Sequence, residues 1–68
     1  MTLDITNSTE EEKEKLRGAI RYFSGDKNNI NVQVKVDGEL KPSGQIYLTD
    51  DIKEVFDEIL GRDKVVIN

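Results

Sequence analysis

From Ile30 to Val36 the chain alternates apolar and polar residues without a break, and it then runs straight into Asp37-Gly38. A period of two puts Ile30, Val32, Val34 and Val36 on one side of a strand and Asn31, Gln33 and Lys35 on the other. One side is to be buried and the other left wet, which a sheet covered on a single face provides. Asp37-Gly38 is a strong two-residue hairpin signal, so a return strand must follow at once. That strand is less regular. Leu40 belongs to it, but Lys41-Pro42-Ser43-Gly44 interrupts, and a proline has no N–H to give a central ladder, so a bulge or an edge position is expected. The pattern resumes over Gln45 to Leu48, with Ile46 and Leu48 inward and Tyr47 outward.

Helical patterns flank this hairpin on both sides. Thr2 to Thr6 reads as a short strand, with Leu3 and Ile5 alternating against polar neighbours. Ser8 with Glu11, or Thr9 with Glu12, fits a capping box, and Glu10, Glu11 and Glu12 suit the positive end of a helix dipole. The spacing predicts a helix from about Thr9 to about Ser24, with Leu16, Ala19, Ile20 and Phe23 as its apolar stripe and Gly25 as a left-handed stop. Gly18 inside it costs about 1 kcal/mol relative to alanine, and a close approach to the sheet is the expected reason. After a loop over Asp26 to Asn29 and the hairpin, Thr49, Asp50 and Asp51 offer a choice of N-cap for a second helix. Ile52, Val55, Phe56, Ile59 and Leu60 form its stripe, Gly61 its stop, and Lys64 to Ile67 a last strand.

The order is therefore β-α-β-β-α-β, the ferredoxin-like split β-α-β pattern of an α+β domain, with both helices on one face of a four-stranded sheet. The open face would carry Asn31, Gln33, Lys35 and Tyr47. With 68 residues the chain is one domain, residues 1–68. Such a domain buries only about 60% of its unfolded surface, and here no disulfide helps, because there is no cysteine. A start at Met1 just before a strand and an end at Asn68 just after one suit an excised domain and equally a complete small protein.

Several chemistries are hard to build from these residues. Without cysteine or histidine, a metal site would have to be all-oxygen, and serine or threonine lacks its usual activating base. Asp50-Asp51 and Asp57-Glu58 are paired acids, but the first pair begins a helix and the second lies on the expected solvent side of it. No calcium-loop or phosphate-loop spacing occurs. No catalytic, cofactor or metal residue is assigned, and no small-molecule substrate is expected. No apolar run approaches a membrane span, and the first residues lack the character of a signal peptide, so a cytoplasmic location is the default. Net charge is −4, and the pI is about 4.7, which disfavours general nucleic-acid binding.

The two helices differ in charge. Lys13, Arg17 and Arg21 recur at i, i+4 and i+8 as a basic ridge, whereas Asp50, Glu54, Asp57 and Glu58 make the second helix acidic outside. One reading is a solvated face laced with pairs such as Glu11–Lys15 and Glu14–Arg17, each worth about 0.2–0.5 kcal/mol. The sharper reading is a docking surface whose asymmetry sets orientation, with Lys13, Arg17, Arg21, Glu54, Asp57 and Glu58 as contacts. An alternative is a small nucleic-acid-binding domain that uses the open sheet face through Lys35 and Tyr47.

The run Leu16-Arg17-Gly18-Ala19-Ile20-Arg21-Tyr22-Phe23-Ser24-Gly25-Asp26, followed by Ile30 to Val36, and the ending Ile59-Leu60-Gly61-Arg62-Asp63-Lys64-Val65-Val66-Ile67 resemble one family. It is the extreme C-terminal domain of the bacterial DNA polymerase III alpha subunit. The likeness covers nearly the whole chain in order and spacing, through structural positions rather than chemical ones. That family often has proline or histidine just before its Gly-Asp, where this chain has Phe23-Ser24. The resemblance implies a non-catalytic tail of a DNA-directed DNA polymerase, a nucleotidyltransferase whose catalytic aspartates lie in a palm domain elsewhere. It implies attachment to the clamp-loader tau subunit or another replisome protein, with weak or no DNA binding by the tail itself.

Overall fold

The structure, a computed structural model, describes residues 1–67. Strand β1 (Thr2–Asp4) leads through Thr9 into helix α1 (Glu10–Phe23). Of the two possible capping boxes the second forms: Thr9 Oγ1 accepts from the Glu12 N–H at 3.1 Å, and Glu12 Oε1 accepts from the Thr9 N–H at 2.8 Å. Helix α1 ends on Ser24 in an extended conformation rather than on a left-handed Gly25. Gly25 instead donates its N–H to Asn28 Oδ1, so the loop itself takes over the chain reversal.

Strands β2 (Ile30–Val36) and β3 (Glu39–Ile46) form the expected hairpin. Asp37 (φ 51°) and Gly38 (φ 84°) both take positive φ, as a type I′ turn demands. Thr49 caps helix α2 (Asp50–Leu60), and its Oγ1 accepts from the Ile52 N–H at 3.3 Å; neither Asp50 nor Asp51 is the cap. Gly61 ends α2 at φ 104°. A 3-10 turn over Arg62–Lys64 precedes the short strand β4 (Val65–Val66).

The class and element order are as the patterns predict, and the strand order refines them. The sheet runs β3-β2-β1-β4 and is mixed. Helix α1 joins β1 to β2 as hydrogen-bonded parallel neighbours, so the first unit is not split. The second is split by two strands, since β4 pairs antiparallel with β1 at the far side from β3. Periodicity says which side of a strand is buried; it carries no information on which strand lies beside it.

Register explains the core. Leu3 pairs with Val34 on one side and Val65 on the other, so these three share a face. Leu16 and Ile20 of α1 and Phe56 and Leu60 of α2 close over that face with Val32 and Ile46, and Phe23 stacks obliquely against Phe56 at 6.2 Å. Both helices thus cover one side of the sheet. Gly18 does not mediate this contact. It is exposed, and a Cβ added there would meet nothing within 4 Å, so the expected close approach to the sheet is absent.

Both explanations offered for Pro42 hold together: β3 is an edge strand, and its ladder slips between Val32 and Gln33. Val32 pairs with Gly44 and Gln33 with Pro42, leaving Ser43 as the extra residue of a bulge. The slip reverses the parity of everything before it. Leu40 pairs with Lys35 on the open face, and Lys41 pairs with Val34 on the helix side.

Candidate functional site

Helix α1 lies over β3 and presents the predicted basic ridge, but most of that ridge is already engaged. Lys13 Nζ is 3.5 Å from Glu10, Lys15 is 3.5 Å from Glu11, and Arg17 pairs with Glu14. Arg21 is exposed and forms no ion pair among the described residues. Arg17 and Arg21, with Ser24, line one wall of a groove whose opposite wall is Ser43, Gly44 and Gln45 of β3. The C-terminal half of the ridge therefore faces the bulge.

Helix α2 carries the opposite charge on the other flank. Glu54 and Glu58 are exposed and unpaired among the described residues. Asp57 departs from the solvent-side placement expected for it. Its side chain is 13% exposed and is held by Lys53 at 2.9 Å, because the pair sits beside the apolar stripe rather than opposite to it. Asp57 still borders a shallow depression with Glu54, Glu58 and Arg62. Asp50 and Asp51 are exposed in the first turn of α2, where they complement the helix dipole.

The open sheet face is a third surface. Side-chain hydrogen bonds lace it: Gln33 donates to Thr2 Oγ1 at 3.2 Å, and Gln45 donates to Asn31 Oδ1 at 2.7 Å. Asp4 lies among these strands. Its carboxylate accepts from the Thr6 N–H at 3.1 Å, which holds its pKa below the ordinary carboxylate value. Leu40 and Val66 are exposed and, with Asp4, Lys35 and Lys64, border one concavity. Sequence reasoning missed Leu40, because the alternation counted back from Ile46 turns it inward unless the bulge is included. Pro42 and Gly44 inside the strand are the signal that marks the bulge.

Lys35 and Tyr47 do not form one site. Ile46 pairs with Ile30, so Tyr47 leaves the sheet at that end, with its N–H on the Phe23 carbonyl. Lys35 is five residues along β2 from Ile30, about 17 Å at ~3.3 Å per residue. Tyr47 is half exposed and, among the described residues, has no ring partner to extend a stacking platform.

Compared with protein-family profiles, with curated proteins and with solved structures, the chain has no match.

Proposed function

We propose that this domain is a non-catalytic, cytoplasmic attachment module that works through protein–protein contact. The observation that supports this reading is the segregation of unpaired charge. Arg21 stands beside Arg17 on α1, and Glu54 and Glu58 stand on α2, with none of Arg21, Glu54 and Glu58 tied into an ion pair among the described residues. Such opposed patches steer and orient a partner more than they add affinity. The resemblance of Leu16 to Asp26 and Ile59 to Ile67 to the polymerase tail points to the clamp-loader tau subunit, or to another protein of the replication machinery, as that partner. Titration of the folded domain with tau tests the reading. Saturable binding that weakens with salt is expected, together with little binding of single-stranded DNA at physiological salt. No binding of tau by a correctly folded domain, or tight binding of DNA, overturns it.

A further inference from the structure

The groove between α1 and β3 has three properties that together define its ligand. First, its helix wall offers two guanidinium groups. Arg21 has no ion-pair partner among the described residues, and Arg17 is shared only with Glu14 in a pair whose side chains are 60% and 71% exposed. So exposed a pair adds little stability, and Arg17 exchanges readily to an incoming acid. Second, its strand wall is the bulge. Gly44 has no side chain and lies at φ 121°, and even a Cβ there would come to 3.8 Å from Ile20. The backbone is therefore bare at the point the arginines face. Third, β3 is an edge strand, beside which an extended segment can lie, while Pro42 and the bulge limit how far a strand can be added.

We infer that this groove receives an extended acidic segment of a partner protein, with carboxylates against Arg17 and Arg21 and its backbone along the Ser43–Ile46 end of β3. The inference rests on the attachment reading and names the chemistry of the partner. A nucleic-acid strand fits less well. Its phosphates need a continuing row of cations, whereas α1 carries Glu10, Glu11 and Glu14 further along and the chain's net charge is −4. Two guanidiniums suit one or two carboxylates, which they engage by charge-assisted and bidentate hydrogen bonds.

Amide chemical-shift titration of the folded domain tests this. The probes are an end-blocked peptide alternating glutamate with threonine, its glutamine–threonine counterpart, and an oligothymidylate. The expected result is that the glutamate peptide alone shifts the amides of Arg17 to Ser24 and of Ser43 to Ile46, less so as salt rises. The R17Q/R21Q variant should bind it about tenfold more weakly or worse. Both side chains are exposed, so an unchanged amide pattern elsewhere verifies that the variant is folded. Equal binding of the glutamine peptide, shifts confined to another face, an unaffected variant, or stronger groove shifts from oligothymidylate would each overturn the inference. Tau separates the two readings. If tau binds the wild type and R17Q/R21Q equally, the groove is wrong while attachment stands. If the glutamate peptide fills the groove and tau does not bind, the groove is right and the partner is not tau.

Discussion

Lys53 and Asp57, one turn apart on α2, grip each other through both carboxylate oxygens: Lys53 Nζ lies 3.1 Å from Oδ1 and 2.9 Å from Oδ2. In the other three ion pairs of the described residues the acid is at least 71% exposed, whereas Asp57 is 13% exposed. The order also matters, since an acid placed before the base on a helix is the better arrangement and here the lysine comes first. The pair's worth therefore comes from its sheltered geometry rather than from helix position. Asp57→Ala should lower stability by about 1 kcal/mol, and Glu11→Ala by no more than about 0.5 kcal/mol. Urea unfolding of the two variants compares them directly; equal losses would place Lys53–Asp57 among ordinary surface pairs.

Gly18 lies in the exposed interior of α1, with open space where a Cβ would stand. Alanine there removes backbone freedom from the unfolded chain and meets no obstacle in the folded one. Gly18→Ala should stabilise the domain by about 0.5–1 kcal/mol. Gly44→Ala should do the reverse, because its φ of 121° is one that a side chain strains. Thermal melts that moved in the same direction for both substitutions would contradict this assignment.

The elements themselves were legible because each is written in local chemistry. The Ile30–Val36 alternation, the Asp37-Gly38 turn, the Thr9/Glu12 box and the α2 stripe all depend on neighbours within a few positions. Strand order was not legible, because nothing in β1 distinguishes β2 from β3 as its neighbour. The same limit governs the candidate surfaces. The i, i+4, i+8 spacing located Lys13, Arg17 and Arg21 on one ridge, but only the fold shows that Arg17 and Arg21 face the bulge. Asp57 looked like a solvent-side acid because helical periodicity places a residue by angle alone. In the fold it is 13% exposed and paired with Lys53, one turn earlier, at the border of the apolar stripe.

The start of α1 gives stability a defined dependence on acid. Glu12 accepts the Thr9 N–H, and that bond holds its pKa below the ordinary glutamate value; Asp4 is lowered likewise by Thr6. A carboxyl whose folded pKa is depressed stabilises the fold fully above its unfolded pKa, and that contribution disappears as pH falls through the folded value. Stability should thus decline on the acid side of the carboxylate range, and Glu12→Gln should make the decline shallower. Thr9→Ala removes the acceptor for the Glu12 N–H and should cost about 1 kcal/mol at neutral pH. Denaturant midpoints measured across the acid range decide this, and a Glu12→Gln slope identical to wild type would remove Glu12 from the account.

The bulge at Ser43 makes a prediction about β3 that simple alternation would reverse. Counting back from Ile46 by twos makes Leu40 a core residue, yet its pairing with Lys35 and its 56% exposure place it on the open face. Leu40→Thr should therefore change stability by less than about 0.5 kcal/mol, as surface changes do. Ile46, fully buried at the other end of the same strand, should lose about 2–5 kcal/mol as Ile46→Ala. Total stability for a domain of this length is about 3–10 kcal/mol, so the larger loss leaves little of the chain folded. Deleting Ser43 restores an unbroken alternation, and the strand can then keep either Leu40 outward or Ile46 inward, not both. The deletion should destabilise the domain by more than Leu40→Thr does. If it were neutral while Leu40→Thr was costly, Leu40 would belong to the core and the register slip between Val32 and Gln33 would be misplaced.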